Sequence, residues 1–171
     1  MAFSLVDLLA RTAWHEAGHA TIARVLGLGV RRASASADDP HVMTRRVGVA
    51  STQFAETVKK LLLVDLAGPL AERRAAGRSD DLACRADEQN ALSRALWLVR
   101  DEHGLDDDEE LGSDHRAEAE ALVAALRPRA AALVEEHWAQ IWRVAAALAA
   151  GAVLHQASID ALMAAAGNEP R

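Results

Sequence analysis

We predict a mainly α fold from three observations on the sequence. Apolar residues recur at helical spacing through most of the chain, and the alternation typical of strands occurs between the first two helical segments. Hydrophobic residues make up 51% of the 171 residues and charged residues 26%, which is typical of a globular protein with a buried core. The predicted architecture is helical, with a small antiparallel β-sheet between the first two helices and a C-terminal helical bundle.

Each element is predicted from its spacing and from the residues at its ends. In chain order we expect a helix at 4–26, strands at 30–37 and 45–51 with a turn at 38–40 between them, and helices at 53–76, 83–102, 116–126, 128–148 and 158–165. Gly27 marks the end of the first helix, Pro69 is expected to kink the second, and Pro128 suits the first turn of a new helix. The acidic stretch 101–114 is predicted to be a solvated loop, and the last five residues are expected to fray.

Composition and charge exclude several classes of protein. The net charge of −6 argues against a general nucleic-acid surface, because binding phosphates needs a basic patch. The one cysteine, Cys84, excludes an internal disulfide and suits a reducing compartment. No stretch has the length of a membrane span or the pattern of a signal peptide. We therefore expect a soluble, cytoplasmic protein without a membrane span.

The motif HEAGH, which begins at His15, contains candidate metal ligands and a candidate general base. His15 and His19 are four residues apart, so on a helix their Cβ atoms lie about 5–6 Å apart on one face, where both rings can bind one metal ion, usually zinc. Glu16 points about 100° around the helix and can act as general base without binding the metal. The histidine face continues with Leu8, Thr12, Ile22 and Leu26, which places the site against the core. Gly18 indicates close packing there.

A catalytic zinc ion usually has three protein ligands, and the motif supplies two. Asp87 is our first choice for the third. It lies in line with the apolar residues Ala91, Ala95 and Leu98. A carboxylate in that position is costly to bury unless a positive charge meets it. Three other carboxylates stay open as ligands: Asp81, for which an N-cap role suffices, Glu88, which borders the apolar strip, and Asp65, which lies among leucines.

Three stretches resemble the peptidase domain of the FtsH family, the ATP-dependent zinc metalloproteases. They are WHEAGHA at 14–20, LAGPLAERRAAG at 66–77 and ADEQNALSRALWLV at 86–99. The resemblance implies a helical zinc-peptidase fold in which His15, His19 and Asp87 bind zinc and Glu16 is the catalytic base. It also implies a supporting role near the site, and not a ligand role, for Glu72.

The sequence departs from the family in several places. Arg73 replaces the second family glutamate, and Glu88 stands where the family has an aliphatic residue. There is no Walker-type loop and no membrane anchor, so ATP-driven degradation of folded proteins is not implied. We expect one FtsH-like peptidase domain over residues 1–171, with the catalytic core at 1–104 and a helical part at 105–171.

The leading hypothesis is a zinc metalloendopeptidase that hydrolyses flexible or unfolded polypeptides. A separate ATPase that delivers substrates and assembly into a homo-oligomer both remain open. The strand ASAS, which ends at Ser36, offers an edge to which an extended peptide could add as a further strand. One alternative is a metal-binding pseudo-peptidase that interacts with proteins without cutting them. Another is a helical regulator in which the motif is accidental.

Overall fold

The computed structural model describes residues 5–36, 39–44, 51–77, 81–106 and 109–165. The elements in chain order are α1 (Leu5–Val25), β1 (Val30–Ser36), β2 (Asp39–Thr44), α2 (Ser51–Ala76), α3 (Asp81–His103), α4 (Ser113–Glu136), α5 (Trp138–Ala149) and α6 (Gln156–Ala164). Over these residues the chain is mainly helical, with one small antiparallel sheet between α1 and α2, as predicted. None of the described helices combines the length and the apolar character needed to cross a membrane.

α1 lies at the centre of the fold and packs against both strands, α2 and α5. It is buried on nearly every side from Ala13 onwards, and Ala17, Ala20 and Ala23 are fully buried. Their small side chains allow neighbouring elements to approach closely. The helix ends where Gly27 adopts a φ of +77°, a left-handed conformation that glycine takes without a Cβ clash.

The second strand lies earlier than the sequence predicted. We expected a turn at 38–40 and a strand at 45–51, but Asp39 and Pro40 already belong to β2 and Ser51 begins α2. Residues 45–50 lie outside the described residues. Pro40 lies opposite Ala35, two positions along from the pair of Ala33 and Val42. At these positions the backbone N–H points away from the partner strand, so a proline removes no bond of the ladder.

Two prolines lie inside helices. We predicted that a helix ends before Pro128, but α4 continues through it, and the break comes at His137 instead. An interior proline costs about 3 kcal/mol. Ala119 on one side of it and Ala130 and Val134 on the other are all buried, so packing along the whole helix outweighs that cost. α2 likewise continues through Pro69, and the expected kink there stays a prediction.

The buried apolar residues form two clusters. The first lies where α1, β1 and α2 meet α4, α5 and α6, and the second lies between α2, α3 and α4. Three leucines contact both clusters, namely Leu26, Leu70 and Leu133. The segments before and after residue 104 therefore share one set of buried contacts, which holds α1, α2 and α3 in fixed positions around the site described next. The acidic stretch 101–114, predicted to be a loop, begins inside α3, and its residues 107–108 lie outside the described residues. Residues 166–171, which include the five expected to fray, also lie outside them.

Candidate metal centre

His15 and His19 lie one turn apart on α1, and both are buried, with 6% and 8% of their surface exposed. Their rings are at nearly right angles with centroids 4.7 Å apart, and the two Nε2 atoms are 3.1 Å apart. The spacing of four residues thus brings the two rings together, as the sequence predicted. Both Nε2 atoms face Oδ2 of Asp87.

A backbone carbonyl fixes the tautomer of His19. Its Nδ1 lies 2.7 Å from the carbonyl oxygen of Val64 on α2. A carbonyl can only accept, so Nδ1 must carry the proton, and Nε2 of the neutral ring keeps its lone pair. Gly68, one turn further along α2, makes room for the ring, because a Cβ at that position would lie 2.4 Å from Nε2.

A carboxylate fixes His15 in the same way. Nδ1 of His15 donates to Oε2 of Glu72 over 3.3 Å, while Arg11 donates from Nε and Nη2 to Oε1 over 2.9 and 2.6 Å. Burial alone would raise the pKa of Glu72, but the hydrogen bonds from His15 and Arg11 outweigh it and lower that pKa. Glu72 is therefore an ionised acceptor, and Nε2 of neutral His15 carries a lone pair.

Asp87 on α3 completes a group of three. Its Oδ2 lies 2.8 Å from Nε2 of His15 and 3.4 Å from Nε2 of His19. When both Nε2 atoms carry lone pairs, this buried oxygen has no hydrogen-bond donor among the described residues. Ligands of a tetrahedral zinc ion at 2.0–2.1 Å are about 3.3 Å apart, which is close to the three separations found. The buried His15 and His19 and the partly buried Asp87 therefore form a group that is geometrically able to hold a metal ion.

Cys84 belongs to a second group of candidate ligands, with His15 and Glu72. The charge and protons of that group make it the poorer cation site. Arg11 already binds the Glu72 carboxylate, and Nδ1 of His15 carries a proton. We did not expect Cys84 near the site, although it is three residues before Asp87 and so shares a helix face with it.

The charged groups around the site are mostly acidic. Glu16 and Glu72 are buried carboxylates, Asp87 is a partly buried one, and Arg11 brings one permanent positive charge. Burial works to lower the pKa of His15, but hydrogen bonds to Asp87 and Glu72 outweigh it and raise the pKa to about 9. Burial would raise the pKa of Asp87, but hydrogen bonds from the two histidines lower it. The same carboxylates would attract a divalent cation.

Glu16 lies beside the group and is not part of it. Its side chain is buried, and Oε2 has no hydrogen-bond partner among the described residues. Burial raises the pKa of Glu16, and the charges of His19 and His15 act against that rise. His41 on β2 also interacts electrostatically with Glu16, a proximity that we did not predict. A buried carboxylate with an open acceptor position is suited to accept a proton from a water molecule.

The rival carboxylates are engaged elsewhere or lie outside the description. Oδ2 of Asp65 is 2.5 Å from Nε of Arg94, and the exposed Glu88 pairs with Arg127 over 3.4 Å. Asp81 begins α3, and its side chain lies outside the described part, as does that of Leu8. The predicted apolar strip after Asp87 is confirmed, because its members Ala91, Ala95 and Leu98 are buried.

Close contact between α1 and α2 holds the site together. A Cβ on Gly18 would lie 2.7 Å from the carbonyl oxygen of Ala67 and 2.7 Å from Cβ of Ala71. The close packing inferred from Gly18 is therefore confirmed. It places the carbonyl of Val64 and the carboxylate of Glu72 within reach of the two histidines.

The outer edge of β1 is already used by the chain itself. The N–H and carbonyl of Ala33 bond to Leu154 over 2.8 and 2.9 Å, and Nδ1 of His155 donates to the carbonyl of Arg31. β2 occupies the other edge. The expectation that the ASAS strand offers a ready edge to a peptide is therefore wrong at Ala33, because a peptide would have to displace Leu154 first.

No protein-family model matches the chain, and no curated protein shows significant similarity to it. The resemblance to the FtsH family therefore rests on the three sequence stretches quoted above and on the residues that they bring together.

Proposed function

We propose that this chain is an FtsH-like zinc-dependent metalloendopeptidase. The observation that carries the proposal is the convergence of three lone-pair acceptors, Nε2 of His15, Nε2 of His19 and Oδ2 of Asp87, beside the open carboxylate oxygen of Glu16. Two imidazoles and a carboxylate form the ligand set of many catalytic zinc sites, and the fourth position is left for water or substrate. The buried hydrogen bonds behind both imidazoles are typical of such sites.

In the proposed reaction, His15, His19 and Asp87 would hold a zinc ion, which would polarise the scissile carbonyl and lower the pKa of water. Oε2 of Glu16 accepts a proton from the attacking water, and Glu16 then passes it to the nitrogen of the leaving amine. His19 and His15 are held by Val64 and Glu72 respectively, so neither ring has to reorient during the reaction.

The burial of the site bears on the substrate. His15, Glu16 and His19 each expose less than a tenth of their surface, so a folded protein cannot bring a peptide bond to them. Flexible peptides and unfolded segments are the substrates that we propose. Delivery by a separate ATPase, assembly into a homo-oligomer and a cytoplasmic location remain parts of the proposal that rest on the sequence.

Digestion of a peptide library tests the proposal. The protein is incubated with the library as purified, after chelation, and after zinc is restored, and products are identified by mass spectrometry. We expect cleavage that the chelator abolishes and zinc restores. Glu16→Gln should retain zinc and lose cleavage by at least a hundredfold, since general base catalysis contributes about 10²–10⁴. Glu88→Gln, at an exposed carboxylate, is the matched control and should cleave normally. Cleavage by Glu16→Gln at the wild-type rate would refute the assigned base.

The same burial favours one alternative, a metal-binding pseudo-peptidase that interacts with other proteins. In that case zinc would bind with the affinity of a structural site, and its removal would lower the melting temperature. No peptide in the library would be cut. Wild-type protein that contains zinc and is inert toward every peptide would support this alternative over the enzyme.

A further inference from the structure

We propose that Arg11 is a positioning residue for the metal centre, which acts through Glu72 to fix the orientation and the tautomer of His15. Arg11, His15 and His19 follow one another at steps of four residues, so Arg11 lies one turn behind the first histidine on the same face of α1. The inference rests on the metal site of the proposed function and is independent of whether the site cleaves peptides.

The two hydrogen bonds from Arg11 to Glu72 meet the same carboxylate oxygen. Nε and Nη2 of Arg11 both donate to Oε1 of Glu72, over 2.9 and 2.6 Å. A guanidinium facing both oxygens would occupy one lone pair on each of them. Here both donors of the fork meet Oε1, and Oε2 accepts from Nδ1 of His15. Both Arg11 and Glu72 are buried, so the surrounding packing preserves this arrangement.

The tautomer of His15 matters because Asp87 competes for its proton. Oδ2 of Asp87 lies 2.8 Å from Nε2 of His15, which is closer than the 3.3 Å between Nδ1 and Glu72. If Glu72 turned away, the proton would move to Nε2 and bind to Asp87. That hydrogen bond would occupy one lone pair on each of the two ligand residues at once. By holding Glu72 in place, Arg11 keeps both lone pairs directed at the metal position.

The charge of Arg11 alone does not explain this role. A lysine would supply the same charge as a point, without two N–H groups in a fixed fork, so it would leave the carboxylate able to rotate. Arg24 provides a comparison on the same helix. It also forms a two-bond pair with a carboxylate, that of Asp160, over 2.7 and 3.2 Å, and Asp160 lies on α6, away from the elements that supply the candidate ligands.

The test compares Arg11→Met and Arg11→Lys with the control Arg24→Met, which removes an arginine–carboxylate pair from the same helix. The first measurement is the tautomer of His15 in the metal-free protein, read from its ring ¹⁵N shifts at a pH above the pKa of His15. The second is zinc affinity, from competition with a chromogenic chelator. Neither depends on peptide cleavage. Glu72→Gln breaks the same chain of contacts from the other side and is measured alongside.

We expect wild-type protein and Arg24→Met to hold the proton of His15 on Nδ1. Arg11→Met and Glu72→Gln should show a mixture of tautomers and bind zinc about 10–100-fold more weakly. The zinc affinity of Arg11→Lys should lie between that of these two variants and that of the wild type. The proposal is overturned if Arg11→Met and Glu72→Gln keep the Nδ1 proton and bind zinc as Arg24→Met does. If Arg11→Met does not fold, Arg11→Lys and Glu72→Gln decide in the same way. Loss of zinc affinity in a protein that never cuts peptides would support this inference and count against the enzyme.

Discussion

Replacing Gly68 with alanine would put a methyl group into the space of the His19 ring. An ideal Cβ at Gly68 lies 2.4 Å from Nε2, 2.5 Å from Cε1 and 2.8 Å from Cδ2 of that ring. Ordinary van der Waals contact begins near 3.4 Å, so the ring must move by about 1 Å. It cannot simply slide along α2, because the carbonyl of Val64 holds its Nδ1 at 2.7 Å.

The size of this displacement sets the expected loss. Metal–ligand distances tolerate about 0.2 Å, so a shift of about 1 Å removes Nε2 from the position that it shares with His15 and Asp87. We expect zinc affinity to fall at least about tenfold, which is about 1.4 kcal/mol. The stability of the metal-free chain should change less. Overpacking costs about 1–3 kcal/mol, but alanine is about 1 kcal/mol better than glycine inside a helix.

The assay is a competition titration for zinc, combined with urea unfolding of the metal-free protein. Gly112→Ala is the control, because a Cβ there meets nothing within 4 Å and its φ of −71° suits any residue. The reasoning is refuted if Gly68→Ala binds zinc as tightly as Gly112→Ala while both are folded. In that case the His19 ring is not the ligand that the close contact with α2 positions.

Two further predictions concern packing and pH. Gly18→Ala should destabilise the metal-free protein by about 2 kcal/mol, because its Cβ would meet backbone of α2 and the two helices must separate. Overpacking of this kind costs about 3 kcal/mol, and alanine recovers about 1 kcal/mol over glycine inside a helix. An unchanged urea midpoint would contradict this. The pKa of His15 is raised from 6.5 to about 9, so its contribution to stability is fully present below pH 6.5 and is lost as the pH rises through 9. The melting temperature of the metal-free protein should therefore fall over this interval, while zinc affinity should rise because neutral imidazoles bind the metal. Calorimetry at a series of pH values that shows no such fall would exclude the assigned contacts.

The candidate site was predicted largely from local periodicity. The spacing of His15 and His19 is short enough for one helical turn to set their separation, whatever surrounds the helix. Asp87 stood out because a carboxylate followed by Ala91 and Ala95 at helical steps has to be buried with a partner. Arg11 was missed, although the sequence contained a signal for it. It lies four residues before His15, and a charged residue on that apolar face also needs a buried partner.

Contacts between residues far apart in the sequence determined the course of α4 and the start of β2. Pro128 was expected to start a helix, but contacts of Ala119 and Val134 with the core keep α4 continuous on both sides of it. The start of the second strand was misplaced because Asp39 and Pro40 are typical turn residues. The pairing with β1 determines their conformation instead, and Pro40 lies at a position where the backbone N–H does not bond to β1.

By itself, the sequence determined the helical class, the pair of histidines and the neighbouring glutamate, since each depends on interactions within a few residues along one helix. Only the tertiary structure decided that Asp87 is the carboxylate facing both rings and that Asp65 pairs with Arg94. It also decided the tautomers of the two histidines, because their partners come from α2, more than forty residues away. The physical reason is that a buried polar atom takes its partner from whichever element packs against it, and residue spacing along one helix does not specify that element.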